Sequence, residues 1–256
     1  MANKKCTLEA EEMVKRYEEG MRTVEIAKLA NVSVRYVNLV LRKHNVKRRA
    51  KGSWKRKYDV NEHYFKTWSN NMAYILGFFA ADGCINRDLS SVSFSQKDIE
   101  ILKQIKIELN SNHPFVQNPK TGVYILNIHS KVMKDDLIKI HGIKPNKSLN
   151  LKLPSIPKPF LSHFVRGYFD GDGSIYKKRN CVCIVSGSLE FTEALYNIFV
   201  TLDLEPRLKS FSKYHRIYIT GYETVTKFAE WIYHVKGLYI PAKHKRFIEK
   251  QAFKKF

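Results

Sequence analysis

The sequence predicts an α+β protein: two copies of a helix–strand–strand–helix–strand–strand–helix unit, preceded by a small all-helical domain. Three observations predict it. The element order of residues 59–153 recurs in residues 154–256, which marks an internal duplication. Each copy opens on a helix with small residues four apart, followed by Asp-Gly and a hairpin: "ILGFFAADG" (75–83) and "VRGYFDGDG" (165–173). Residues 1–58 hold three short apolar-periodic stretches separated by turn signals, and no strand alternation.

In residues 1–58, Thr7 is placed to cap a helix through Glu19 with Leu8, Met13, Val14 and Tyr17 as its apolar stripe. Thr23 is placed to cap a second helix carrying Val24, Ile26, Ala27 and Leu29. After "ANVS", Ser33 caps a third, with Val34, Val37, Val40 and Leu41 facing inward. Two helices, a tight turn and a helix with a basic face form the helix-turn-helix pattern. Arg35, Tyr36, Asn38 and Arg42 are its expected outward groups, and Arg48 and Arg49 follow in a run of nine basic residues and no acidic one between Arg42 and Lys57. A three-helix protein-interaction module is the alternative, but 16 basic against 6 acidic residues over 1–58 favour a polyanion.

From Asp59 the elements alternate. Asn70–Ala81 is helical, "CINRDLSSVSFSQ" is a hairpin, "KDIEILKQIKIELN" a helix, "HPFVQNPKTGVYILNIH" a hairpin and "SKVMKDDLIKIHG" a helix. A proline-bearing connector, 145–159, leads into the second copy, which runs from a helix at Phe160–Gly171 to a helix at "ETVTKFAEWIYHV".

Composition narrows the function. The chain of 256 residues carries 45 Lys plus Arg against 24 Asp plus Glu, a formal net charge of +21, which is the footprint of a nucleic-acid binder. The longest apolar run, Met72–Ala81, is too short to span a bilayer, which takes about 20 residues. The acidic early N-terminus lacks a signal or transit pattern, so a cytoplasmic protein is expected. Cys6, Cys84, Cys181 and Cys183 fit neither common zinc pairings nor a disulfide framework and are expected to be reduced thiols.

Against that charge, each landmark helix ends in a carboxylate, Asp82 and Asp172, at the negative end of its dipole. Gly77 with Ala81, and Gly167 with Gly171, each line one helix face, and small residues there let two backbones approach closely. Bulky Ile75, Phe78 and Phe79, with Val165, Tyr168 and Phe169, occupy the other face. Packing the small faces together about a pseudo-two-fold axis brings Asp82 beside Asp172. Without a cation, like charges so placed repel. Hard oxygen ligands with an open shell suit magnesium, for which manganese can substitute, and two such ions can hydrolyse a phosphodiester. Asp-Gly after a helix is also an ordinary turn signal, but its recurrence in the same context ninety residues on favours the metal reading.

These paired segments resemble the two motifs of the LAGLIDADG homing endonucleases, over roughly residues 59–256. The resemblance implies two antiparallel saddle sheets over the DNA major groove, metals held by Asp82 and Asp172, a metal-activated water and short 3′ overhangs. It also implies polar helpers at strand ends, for which Gln96 and Lys131 stand at the matching places in the first half. The second half departs from the pattern: Ser186 or Gly187 stands for Gln96, and no lysine stands for Lys131 around Gly221 and Tyr222. The first motif has Ala80 where the second keeps an acid, Asp170, which is not counted as a ligand. The chain neither starts with Cys nor ends in His-Asn, so it resembles a free enzyme and not an intein.

The expectation is a monomeric, site-specific double-strand DNA endonuclease whose helix-turn-helix extends the footprint. Arg87, Ser91, Ser93, Lys120, Lys177, Arg179, Lys209 and Arg216 are the expected base readers, and Lys147, Lys243 and Lys245 phosphate contacts. The alternatives are a non-catalytic DNA-binding regulator, disfavoured because both aspartates are present, and a maturase acting on intron RNA.

Overall fold

The computed structural model describes residues 6–47 and 58–251, and the chain falls into two units, residues 1–57 and 58–256, each with its own core. In the first unit, α1 (Ala10–Glu18), α2 (Thr23–Leu29) and α3 (Val34–Lys43) close over Met13, Tyr17, Ile26, Ala27, Ala30, Val37, Val40 and Leu41. Ser33 caps α3 by accepting the Tyr36 N–H at 3.2 Å. The other two expected caps differ. Thr7 lies upstream of α1 and its hydroxyl instead donates to Leu29 O at 2.6 Å. Thr23 is already inside α2, where the Glu25 carboxylate accepts the Arg22 N–H at 2.9 Å. Val34, expected inside, is exposed, because the first turn of α3 projects beyond the three-helix core. The basic run from Arg48 to Lys57 lies outside the described residues.

The second unit is built on α4 (Asn70–Asp82) and α7 (Leu161–Asp172). α4 is buried all round from Met72 to Ala80, the mark of a helix inside a core and not on its surface. Its contacts with α7 obey the pseudo-two-fold. A Cβ on Gly77 would strike the backbone of Phe164 and Tyr168, and a Cβ on Gly167 would strike that of Tyr74 and Phe78. The two sets exchange under an offset of ninety: 77 with 167, 74 with 164 and 78 with 168. Only glycine lets backbone meet backbone here.

Each half then adds one sheet. The first is β1 (Gly83–Ile85), β2 (Val92–Gln96), β4 (Tyr124–Ile128) and β3 (Phe115–Gln117), in that spatial order; the second is β5 (Gly173–Ile175), β6 (Cys181–Ser186), β8 (His215–Thr220) and β7 (Arg207–Ser210). All pairings are antiparallel. Along the strands the apolar residues alternate inward: Val92, Phe94, Leu126 and Ile128 in one sheet, Val182, Ile184, Ile217 and Ile219 in the other. Helices α5 (Ile99–Glu108), α6 (Lys131–Lys139), α8 (Leu189–Thr201) and α9 (Tyr222–Tyr233) complete the expected order. A further helix, α10 (Pro241–Glu249), was not expected; its Pro241 at the first helical position and buried Phe247 explain it. Among the described residues no helix is long and apolar enough to cross a membrane.

Gly167→Ala is expected to destabilise the larger unit by about 3 kcal/mol or more, the upper end of overpacking costs, because the new methyl meets carbonyl and amide atoms and no side chain can yield. Calorimetry checks this, with the larger unit's transition falling and that of residues 1–57 unmoved.

Candidate active site

α4 and α7 end at Asp82 and Asp172, and Gly83 and Gly173 turn each chain directly into β1 and β5. The seam fixes the distance between the two ends. A Cβ on Gly171 would touch the Ala81 Cβ and lie 3.2 Å from Asp82 Oδ2, so the last turn of α7 rests on the carboxylate of α4. Burial, then the Asp172 charge, pushes the Asp82 carboxyl up to about 6, although Lys243 and Lys147 oppose the shift. Asp172 keeps more solvent access; the protein packed around it still raises its carboxyl, with Lys147, Lys243 and the Tyr168 hydroxyl opposing.

Two lysines reach these helix ends, and neither is Lys131. Lys147, on a 3-10 turn in the connector, donates to Ala81 O at 2.8 Å. Lys243, in the first turns of α10, donates to Phe169 O, Asp170 O and Gly173 O, each at 2.7 Å. Both therefore bind carbonyls at or just past a helix C-terminus, where backbone acceptors run short of intrahelical donors. Burial lowers both amines while the aspartates raise them. Both were expected as phosphate contacts, and the lysine of the second half comes from α10 and not from the strand end around Gly221 and Tyr222, where none was expected. A weak repeat could have found them: Pro145-Asn146-Lys147 and Pro241-Ala242-Lys243 each follow a glycine after a helix.

Gln96 sits as expected, donating from Nε2 to Asp82 Oδ2 at 2.9 Å. Lys131 does not. Asp82 adjoins the Gln96–Tyr124 end of the sheet, whereas β4 leaves the sheet at Ile128, beside Val92. Lys131 is exposed in the first turn of α6, about 13 Å of strand away along β4. In the second half the register puts Ser186 at the position of Gln96. Its Oγ accepts the Ser188 N–H at 3.1 Å; the Tyr168 hydroxyl, at the position of Phe78 in the first half, donates to Val185 O at 3.0 Å and favours the charged form of Asp172 nearby.

Asp170 is structural. It is 1% exposed, and Oδ2 accepts from the Tyr74 hydroxyl and the Ile240 N–H, both at 2.8 Å. Beside it the fully buried Arg166 donates to Leu238 O (3.0 Å), Ile232 O (2.6 Å) and Val235 O (3.0 Å). Its fourth partner is His163 Nδ1 at 2.9 Å, and burial holds that imidazole down at about 4, neutral and able to accept. Together Arg166 and Asp170 fasten the chain between α9 and α10 and so deliver Lys243.

The open face of the second sheet is basic and aromatic. Tyr176, Arg179, Asn180, Cys181, Arg207, Lys209, Tyr218 and Thr220 line an open hollow of ≈ 560 Å³. Arg179 and Lys209 were expected there; Arg207, Tyr176 and Tyr218 were missed, and the strand register alone places them, pairing Arg207 with Tyr218. Arg216 lies over the rings of Tyr214 (4.9 Å) and Phe211 (5.6 Å) and donates to the Tyr218 hydroxyl at 3.3 Å. In the first half Ser93 is on the open face opposite Asn127, whereas Ser91, just before β2 at the β1–β2 turn where its carbonyl accepts the Asn86 N–H at 3.2 Å, is buried. Arg87, Lys120 and Lys177 are exposed in hairpin turns, and Lys245 is exposed on α10. In the first unit Arg35, Tyr36 and Arg42 are exposed on α3, with Asn38 half-buried.

The donor set suits a hard divalent cation. Two carboxylates converge at negative helix ends, and magnesium binds through one or two carboxylates while keeping several waters. No group of three or more His, Cys, Asp or Glu side chains placed to hold a metal ion occurs among the described residues, so the candidate site rests on these two carboxylates.

A family model described as a LAGLIDADG-like domain matches residues 69–135 and 159–233. The chain is 28% identical over 171 residues to a probable translation initiation factor IF-2 of Methanocaldococcus jannaschii, a match covering 60% of this chain and 14% of that protein. It is 24% identical over 164 residues to elongation factor 2 of Methanopyrus kandleri, covering 62% and 13%. The chain thus spans a small fraction of the length of these curated relatives. Among solved structures it resembles the meganuclease I-AabMI bound to uncleaved DNA (TM-score 0.51, 12% identity, 70% of this chain and 88% of that one). It also resembles I-SmaMI bound to uncleaved DNA with calcium (TM-score 0.50, 12% identity, 72% and 90%). At such identity the likeness establishes the fold.

Because the folded Asp82 carboxyl lies above its unfolded value, the native state binds the extra proton, and stability falls as pH rises from about 4 through 6. Asp82→Asn should therefore stabilise the metal-free protein at pH 7.5 by on the order of 2 kcal/mol, about 5 °C in Tm. At pH 4 the gain should vanish. Thermal melts at the two pH values check both statements.

Proposed function

We propose that this chain, which belongs to the LAGLIDADG-like domain family, is a divalent-metal-dependent, site-specific endonuclease of double-stranded DNA. The observation that carries the reading is the pairing of Asp82 and Asp172 at two helix ends, each end also reached by a lysine: Lys147 at Ala81 O, and Lys243 at Phe169 O, Asp170 O and Gly173 O. Each half then supplies an acid and a cation, one set for each strand of a duplex. One chain suffices, so a monomer is proposed.

Asp82 and Asp172 would hold magnesium or manganese. Bound there, such ions supply an activated water and stabilisation of the leaving oxygen in phosphodiester hydrolysis. The chain's own groups prepare the site. Gln96 fixes the rotation of the Asp82 carboxylate, while the Tyr168 hydroxyl, donating to Val185 O, stands near Asp172 and favours its charged form. Lys147 and Lys243 hold the helix-end carbonyls and place positive charge where the scissile phosphate would enter, favouring the charge that develops in the transition state. Water attacks phosphorus, the bond to the 3′ oxygen breaks, and that oxygen takes up a proton.

The hollow of the second sheet supports duplex binding, with Arg179, Arg207 and Lys209 as cations and Tyr176 and Tyr218 as amphipathic surfaces. Arg35, Tyr36, Asn38 and Arg42 on α3 would extend the contact as a helix-turn-helix.

Incubating a plasmid library of genomic DNA with the protein and magnesium tests the reading. Discrete linear products are expected, and none from Asp82→Asn with Asp172→Asn. Intact plasmid with binding retained would remove the enzyme and leave a DNA-binding regulator; tight binding to intron RNA alone would leave a maturase.

A further inference from the structure

Ser186, Gly187 and Ser188 stand where the first half has Gln96, Lys97 and Asp98. Read as a sequence they are a loss, since a glutamine that reaches its aspartate has become a serine that does not. The next two positions, glycine and serine where the first half has Lys97 and Asp98, receive a segment from elsewhere. A Cβ on Gly187 would lie 2.5 Å from Ser148 O and 3.3 Å from Leu149 Cδ2. Ser188 Oγ donates to Leu151 O at 2.6 Å while accepting the Phe191 N–H at 3.3 Å as the cap of α8. Residues 147–151 are therefore seated in a notch at the end of β6, in the second half of the duplicated unit.

The seated segment is the one that carries Lys147. Asn146 enters it at a left-handed φ of 58°, Lys147–Leu149 form a single 3-10 turn, and the Asn150 N–H closes it on Lys147 O at 3.0 Å. From that turn the Lys147 amine crosses to Ala81 O at 2.8 Å, at the end of the first half's helix. The lysine of the first half is thus held by the second.

We infer that Gly187 and Ser188 are positioning residues for Lys147, and that the second half has a glycine where the first has Lys97 because that position seats the Lys147 turn. The catalytic consequence rests on the nuclease reading; the positioning does not. Glycine is required at 187 because the neighbour is a backbone carbonyl, which cannot rotate away.

Gly187→Ala in the full chain tests the inference by two readouts. Hydrogen–deuterium exchange should quicken in peptides covering residues 144–151, with β6 and α8 unchanged. DNA cleavage should slow by about a hundredfold, the effect expected of a small misplacement of a catalytic group, with duplex binding retained. Added to Lys147→Ala, Gly187→Ala should cost nothing more. Ser188→Asp keeps an oxygen to cap α8 but cannot donate to Leu151 O, and should give the same exchange pattern if the alanine variant folds poorly. Equal losses of rate with and without Lys147, or unchanged exchange at 144–151 in both variants, would overturn the inference. If the unaltered protein cuts no DNA, the nuclease reading fails and the exchange result alone decides this one.

Discussion

The close packing of α4 on α7 is the constraint from which the larger unit follows. Gly77 and Gly167 each admit a neighbouring backbone where any side chain would collide. At that separation the helices cannot slide or rotate freely, so their C-termini are fixed side by side. The sheets start one residue beyond those termini, so β1 and β5 are fixed as well. The bulky side chains on the far faces, Phe79 on Phe94 and Phe169 on Phe228, then tie each helix to the rest of its own half.

The same packing creates an electrostatic problem. Two helix dipoles present their negative ends together, each with a carboxylate, and desolvation adds to the repulsion. The chain meets part of it with Lys147 and Lys243, which bind the helix-end carbonyls and leave the carboxylates available. What remains is a pair of hard oxygen donors only partly compensated, both carboxyls still raised by burial. That arrangement costs stability in the metal-free protein and is the physical reason to expect a divalent ion.

Much of this was legible in the sequence. Small residues four apart before Asp-Gly, twice, predicted the seam, its pseudo-symmetry and the pairing of Asp82 with Asp172. Alternation predicted the strands, and the family resemblance put Gln96 at a strand end beside Asp82. The lysines were not legible in the same way. Lys131 follows its strand closely in sequence, but β4 runs away from the site, so proximity along the chain misled. Lys147 and Lys243 come from a connector and an unforeseen terminal helix, placed by tertiary contacts of Gly187, Ser188, Arg166 and Asp170 that no local periodicity encodes. Burial of Arg166 is the clearest case: a charged residue in an apolar helix looks like a surface feature until its three carbonyl partners are in view.

The central claim is that Asp82 and Asp172 form one cation site and not two unrelated turn residues. The most direct test is manganese uptake followed by the resonance of the free ion, in the unaltered protein and in Asp82→Asn and Asp172→Asn separately. Uptake by the unaltered protein that is sharply weakened by either change is the predicted result. Uptake that neither change affects would contradict it, and would return both Asp-Gly pairs to the role of helix stops.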